Sequence, residues 1–420
     1  MGAVGKRRRR GALVVSALCA SWLGIAAVAG AADTTLTVWL DDFNTDTQGL
    51  LNNKLVPEFE AAHPGVKVNM KYVSWGTFYN DLIVAFAAGD PPDIFQPGAE
   101  WRGLMAEQGL ALNIDNFTSS WSGKSDFFPG SWASVVWHGH DYGVPYLTAP
   151  RSLIYRADLF EQAGLDGSKP PITWDEVLNT AVKLTQSDGQ GKSSQEGLYV
   201  PAADFQFWLP LLWQNGGTFV SDDGSEPRFN TTEGLEAADY YLNLYKRMHN
   251  FGSPSKGGFA AGGYAMQYAS SSLARSTIKA QPDLADAVKV APPMKQKAQV
   301  AAAYTDWLAI ASKSKHPELA FDFIKLVTEP QNLIDYNQTM FFIPPRRAVI
   351  SSAYVRDNPA ISGMINLVMP YAKAYPSYNG TNNKRFNAAW QKVSDGTSTP
   401  QQALEETVAG FLPLTTAVAK

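Results

Sequence analysis

His138 and His140 stand two residues apart, a spacing that on a strand puts both on one face and begins a metal site. Gly139 between them and Asp141-Tyr142-Gly143 after them read as a turn instead, and no third ligand is apparent. No metal is therefore expected. His63, His249 and His316 stand at helix ends or turns and read as structural. Covalent catalysis is poorly supplied: no Gly-x-Ser-x-Gly element occurs, and the only cysteine is Cys19. Gly257-Gly258 and Gly262-Gly263 lack the Lys-Ser/Thr pair of a phosphate loop. Asp41 and Asp42 are chain neighbours and point different ways, whereas a retaining glycosidase needs two carboxyls facing one bond from about 5–5.5 Å apart. Rings are plentiful. The 12 Trp and 17 Tyr exceed the needs of a core, which implies that some face a ligand.

The elements that must position such residues alternate. Thr35–Leu40 is an apolar run suited to a buried strand. Leu50, Leu51, Leu55, Val56 and Phe59 recur at helical spacing, and His63-Pro64-Gly65 ends that helix. Val66, Val68, Met70 and Tyr72 alternate as in a strand. Phe78, Leu82, Ile83 and Phe86 mark a second helix that stops at Gly89, before the short strand Ile94-Phe95. Tyr142–Tyr146 reads as hairpin-like and Leu153–Tyr155 as a strand. Trp174–Thr185 reads as a helix opened by Thr173 with Glu176 three residues on, a capping box. Ser187–Gln195 and Gly252–Gly263 read as loops. Thr231–Met248 reads as a long helix capped by Thr231 or Thr232, Leu308–Ile310 as a strand, and Pro317–Val327 as a helix with Pro in its first turn. Strands alternating with helices predict an α/β fold with a largely parallel sheet.

The chain's 420 residues suit two domains rather than one. Hydrophobic residues at 45% and charged residues at 18% exclude a disordered chain. Lys6 and Arg7–Arg10, an apolar stretch to about Ala27 and the A-x-A pattern Ala29-Gly30-Ala31 form a signal peptide over residues 1–31. An uncleaved anchor is the alternative reading of this leader. Lipidation of Cys19 is the other, although Leu18 before it is a poor match to a lipoprotein cleavage site. The leader places the protein outside the cytoplasm: secreted, in a periplasm or on the outer face of the cytoplasmic membrane. Without its five basic residues the balance is 30 basic against 39 acidic, which disfavours nucleic acid and anionic membranes as partners.

Several segments in shared order resemble the maltose-binding-protein-like family of bacterial extracellular solute-binding proteins. They are Leu36–Trp39 with Val56–Glu60 and His63–Val68, then Gly89–Ile94, then Tyr142–Tyr146 with Ser152–Tyr155 and Asp158–Gly164. Pro170–Glu176, Leu211–Gly217, Gly263–Met266, Ala309–Ser312 with Lys315–Phe321, and Ile343–Arg346 follow. Together they span roughly residues 35 to 350. Arg156 departs from the pattern, where Asn commonly follows the Tyr, and so do Ser270–Ser272, where many relatives place a Gly and an aromatic.

The resemblance implies a two-lobed periplasmic-binding-protein fold with hinge strands and a central cleft. Lobe 1 would be 32–147 plus 305–340, and lobe 2 would be 148–304 plus 341–420. Crossings are expected near Tyr146–Ser152, Ala303–Asp306 and Thr339–Pro344. It implies a non-enzymatic receptor, monomeric and without a cofactor, that closes on a carbohydrate and delivers it to the permease subunits of an ABC importer. Residue by residue, it places Asp42, Phe43 and Asn44 after the first strand, Trp75 before the second helix, and Gln96, Glu100 and Trp101 after the third strand. Asp204 and Gln206 match sugar-meeting positions in the family's maltose receptor. Ser270 and Ser272 fall in a ligand-facing turn, Tyr304, Asp306 and Trp307 on a crossing strand, and Tyr378 over the cleft. These types suit a sugar, whose apolar faces want rings and whose hydroxyls want donors and acceptors.

Blander readings stand beside these. Asp42 and Asn44 also suit helix caps, Glu100 suits a helix-start acid, Trp213 suits a core, and Arg346 suits a structural anchor. Two rival functions remain. One is a receptor for sugar phosphate or glycerol phosphate, which would want cations such as Arg151 and Arg346. The other is a secreted glycoside hydrolase or lyase. A surface adhesin would need no hinge.

Overall fold

The computed structural model describes residues 34–187, 193–249 and 256–414, with 1–3 and Gly5 besides. The signal-peptide reading and Cys19 therefore lie outside the described residues, as do 188–192 and 252–255 of the two expected loops.

The first strand, Thr34–Asp41, buries Leu36, Val38 and Leu40 on one face, as its alternation dictates. It pairs in parallel with Val66–Val73 and with Ile94–Phe95. Val66–Val73 is an edge strand, so its inner residues Val68, Met70 and Tyr72 are only half-buried. The helical run between the first two strands is continuous from Thr45 to Ala62, with a π turn at Leu51–Leu55. The expected hairpin divides: Val136–Trp137 pairs with His140–Asp141, whereas Val144–Pro150 joins the main sheet.

The joining partner is the long strand Ala301–Ile310, which begins seven residues before the Leu308 expected from sequence. It runs antiparallel to Val144–Pro150 and to Ile94–Phe95, and pairs in parallel with Ala372–Ala374. A second sheet orders Met266–Ala269, Ser152–Arg156 and Val288–Val290.

Buried apolar side chains form three clusters. The first gathers residues from 36 to 147 and from 307 to 340. The second gathers residues from 153 to 248 with Ala302 and the 375–404 segment. The third lies under the 354–368 helices and takes in Ala301, Val288 and Ile343. Leu414 returns to the first cluster, away from the rest of the C-terminal segment. The strand Ala301–Ile310 thus contributes to all three. Thr148 ties the crossings together. Its backbone exchanges two hydrogen bonds with Ile343, 2.9 and 3.0 Å, and its hydroxyl lies 3.2 Å from that of Thr305.

The second cluster is built by helices whose limits follow their caps. Trp174–Leu184 opens on Thr173, whose side chain accepts from the Glu176 amide while Glu176 accepts in return. Thr232–Met248 opens on Thr231. Among the described residues no helix is long and apolar enough to cross a membrane.

Candidate functional site

The segment after Ile94–Phe95 and the start of helix Trp75–Ala88 meet the C-terminal segment around Asn379. A hollow of about 280 Å³ lies between them, lined by Trp75, Tyr79, Glu100, Trp101, Thr381 and Lys384 among others. Trp75 and Trp101 stack at 5.1 Å with their planes 2° apart. Trp101 is buried, and the edge of Tyr79 packs on it at 5.1 Å. Trp75 remains 39% exposed, which leaves one indole face available. Gly98 permits this stack: a Cβ there would sit 3.0 Å from the Trp75 ring.

Behind the rings sit three carboxyls. Asp306 is pushed up to about 7, first by burial and then by the charge of Glu100. Asp41 is pushed up to about 6 by burial, with Asp42 adding to it. Glu100 is raised by burial. Crowded carboxyls with few cations hold protons more tightly. Gln96 is fully buried and sets two of them in place. Its Oε1 accepts from the Asp41 amide at 3.0 Å, and its Nε2 donates to Asp306 at 3.0 Å. Gln96 therefore positions acceptors and exposes no surface of its own.

A β-bulge between Asp306 and Trp307 separates their roles. Asp306 faces Gln96, whereas Trp307 is fully buried in the first cluster and its indole N–H donates to the Gly98 carbonyl at 3.2 Å. It packs so closely on Gly143 that a Cβ there would lie 2.2 Å from the ring. Trp307 has no free face. Tyr378 also departs from the expectation. It does not cover a cleft; it is fully buried in the second cluster, with its hydroxyl donating to Asn383 at 2.7 Å and lying 3.1 Å from that of Tyr375. An aromatic run cannot tell a lid from a core.

Other expected residues fall elsewhere. Asn44 caps the first helix, its Oδ1 accepting from the Thr47 amide at 2.9 Å. Asp42 is exposed. Phe43 and Asn44 line a second hollow of about 350 Å³ with Ser272, Arg275 and Lys279. The Ser270 and Ser272 hydroxyls bond each other at 2.7 Å. Asp204 caps helix Phe205–Gln214 through the Gln206 amide at 2.8 Å, and both are half-buried. Tyr304 lies 4.5 Å from Tyr375 and carries the Arg151 guanidinium 4.4 Å above its ring.

Sequence reasoning gave Tyr79, Thr381 and Lys384 no place. Their only signal is position, one helical turn past Trp75 for Tyr79 and the C-terminal segment for the others. Arg346 is an anchor: it donates to the Gly123 carbonyl at 3.1 Å and lies over the rings of Phe127 and Trp121. His138 and His140 do not share a strand face. His138 has φ 46°, Gly139 φ 84°, and each imidazole has its own acid, Glu107 at 3.3 Å and Asp115 at 2.6 Å. A larger hollow of about 870 Å³, lined by Tyr155, Lys169, Pro170, Lys289 and Leu367 among others, touches none of the expected residues.

Residues 45–333 match the model of the family described as bacterial extracellular solute-binding protein. This chain is a member of that family. Its fold is the α/β periplasmic-binding-protein fold, shared with the sugar-binding protein MalE from Xanthomonas citri at TM-score 0.78, 21% identity, 90% of this chain and 96% of that one. It is also shared with a Thermotoga lettingae solute-binding protein bound to α-D-tagatose, at TM-score 0.75, 24% identity, 90% and 98% coverage. Among sequence relatives, the sn-glycerol-3-phosphate-binding periplasmic protein UgpB of Escherichia coli is 27% identical over 92% of this chain and 94% of its own. The solute-binding protein is thus a non-enzymatic receptor of an ABC transporter, and its family works outside the cytoplasm. The hydrolase reading is excluded by this membership.

Proposed function

We propose that this solute-binding protein captures a neutral sugar or oligosaccharide and hands it to the permease subunits of an ABC importer. The observation that carries the reading is the hollow in which the part-exposed Trp75 indole stands beside the Glu100 carboxyl. An aromatic face meets the C–H side of a sugar ring, and carboxyls accept from its hydroxyls. The neighbour bound to α-D-tagatose and the sugar-binding protein MalE support the same class. On this reading lobe 1 is residues 32–147 plus 305–340 and lobe 2 is 148–304 plus 341–420, with Leu414 docked back on lobe 1. Trp75, Glu100 and Trp101 meet the solute, Asp306 stands behind them, and closure about the Thr148 crossings buries it. The protein acts as a monomer.

The glycerol-phosphate reading has its own support in UgpB and in Arg275 and Lys279 of the second hollow. Against it, Arg346 is occupied as an anchor, and the first hollow balances its one cation, Lys384, with the Glu100 carboxyl. A thermal-shift panel of mono-, di- and oligosaccharides, polyols and glycerol phosphates separates the two. Ligand at 100 times its Kd adds about 2.7 kcal/mol of stability. The expected result is a shift with one neutral saccharide class. A shift with glycerol phosphate alone would move the site to the second hollow, and silence across the panel would remove carbohydrate as the solute.

A further inference from the structure

Arg151 stands at the turn between the crossing strand Val144–Pro150 and Ser152–Arg156. Its guanidinium lies over the Tyr304 ring and makes no ion pair or side-chain hydrogen bond among the described residues. Asp204 and the phenols of Tyr268, Tyr304 and Tyr375 are all within its electrostatic reach. Two of these phenols are unsatisfied. The hydroxyl oxygens of Tyr304 and Tyr268 are buried without a hydrogen-bond partner. The Ala302 amide lies near that of Tyr268 without closing a bond. The contrast with Tyr378 is sharp, since its equally buried hydroxyl has two partners.

A buried hydroxyl without a partner destabilises the fold that holds it. A guanidinium without a carboxylate or carbonyl leaves five donors in a fixed fork unused. These groups come from separate segments, the first crossing, the Met266–Ala269 strand, the Ala301–Ile310 strand and the Asp204 cap, so no single local motif explains the gathering. Tyr375 packs tilted against Tyr304, ring centroids 4.5 Å apart, and feels the charge of Glu100, which lines the first hollow.

We propose that Arg151 is a specificity-determining donor that stays unpaired in the free protein and is paired by adjacent hydroxyls of the bound saccharide, whose entry also uncovers and pairs the sealed Tyr304 hydroxyl. The inference rests on the carbohydrate reading above. Arg151 supplies two parallel donors to neighbouring oxygens, a geometry that a lysine cannot reproduce. Asp204, within electrostatic reach of Arg151 but not paired with it, would accept from the same solute, which favours a neutral diol over an anion.

The test compares Tyr304→Phe, Tyr378→Phe and Arg151→Lys with the native protein, first without solute and then with D-tagatose, mannobiose and maltotetraose. Without solute, Tyr304→Phe is expected to raise Tm by about 1–3 °C by deleting an unpaired group, whereas Tyr378→Phe lowers it by a similar amount. With whichever sugar stabilises the native protein, Tyr304→Phe and Arg151→Lys are each expected to bind about tenfold more weakly. A fall in Tm for Tyr304→Phe in the free protein would make its hydroxyl structural and overturn the inference. So would a native sugar response that Tyr304→Phe and Arg151→Lys retain in full, while the carbohydrate reading survives. Silence of the native protein with every saccharide overturns both.

Discussion

Asp141→Ala is expected to lower unfolding free energy by about 3–5 kcal/mol, read as a shift in the urea midpoint. Asp141 is a buried carboxyl that serves three donors at once. Its Oδ2 accepts from the Thr118 hydroxyl and the Lys124 ammonium, and its Oδ1 accepts from the Trp132 indole at 2.9 Å. Its own amide donates to Asp115 at 2.8 Å, and its carbonyl accepts from the Ile114 amide. Alanine would keep the backbone bonds and strand the three side-chain donors. Lys124 would lose its acid while still held near the Trp132 ring, at 5.1 Å. The cost lies with the buried Thr118 and Trp132 donors, each worth about 1–3 kcal/mol when left without an acceptor, whereas the Lys124 ammonium, 37% exposed, falls back on water. Glu406→Ala, which breaks the exposed pair with Lys392, is the control and should change stability by less than about 1 kcal/mol. Equal effects of the two substitutions would contradict the account.

Glu196 has the opposite sign. Its carboxyl is 1% exposed, both oxygens lack a hydrogen-bond partner among the described residues, and burial pushes it up to about 7. Tyr264 is the titratable group that faces it; the nearby Lys256 ammonium donates to Gln195 instead, at 3.2 Å. An acid held more protonated when folded makes the folded state bind more protons than the unfolded one. Its stabilisation is therefore complete below the unfolded value near 4.5 and lost as pH rises toward 7. Full titration over that interval is worth about 3 kcal/mol. Glu196→Gln should flatten the fall in Tm between pH 5 and pH 8 and be the more stable protein at pH 8. Asp41 and Asp306 titrate with the same sign in both proteins, so the difference isolates Glu196. Parallel pH curves for the native protein and Glu196→Gln would contradict the assignment.

The parts of the fold that were legible in the sequence are those fixed by local rules. The Thr173 capping box, the Thr231 cap and Pro317 at the head of its helix each end an element through atoms a few residues away. The parts that were not legible depend on distant contacts. The strand begins at Ala301 because Ala372–Ala374 and Pro150 lie beside it, which no pattern within 301–307 announces. The Asp306/Trp307 bulge reverses which side chain faces inward, so alternation alone left Trp307 undecided. Tyr378 lies in an aromatic run that suits a lid as well as a core, and only Asn383 and Tyr375 decide for the core. Asn44 was open between cap and contact, and its bond to Thr47 makes it a cap that also borders the second hollow. Arg151 was visible as a cation near the first crossing. Its value comes from Tyr304, more than a hundred residues away, with the ring to stack on and the unpaired hydroxyl beside it.

The most direct test of the central claim is a calorimetric titration of the native protein and of Trp75→Ala with the saccharide that gives the largest thermal shift. One saccharide is expected to bind per native chain, and binding to be about tenfold weaker once the Trp75 indole is gone, measured at a temperature where both proteins are folded. Equal affinity in the two proteins, or heat only with glycerol 3-phosphate, would show that the indole face beside Glu100 is not where the solute sits.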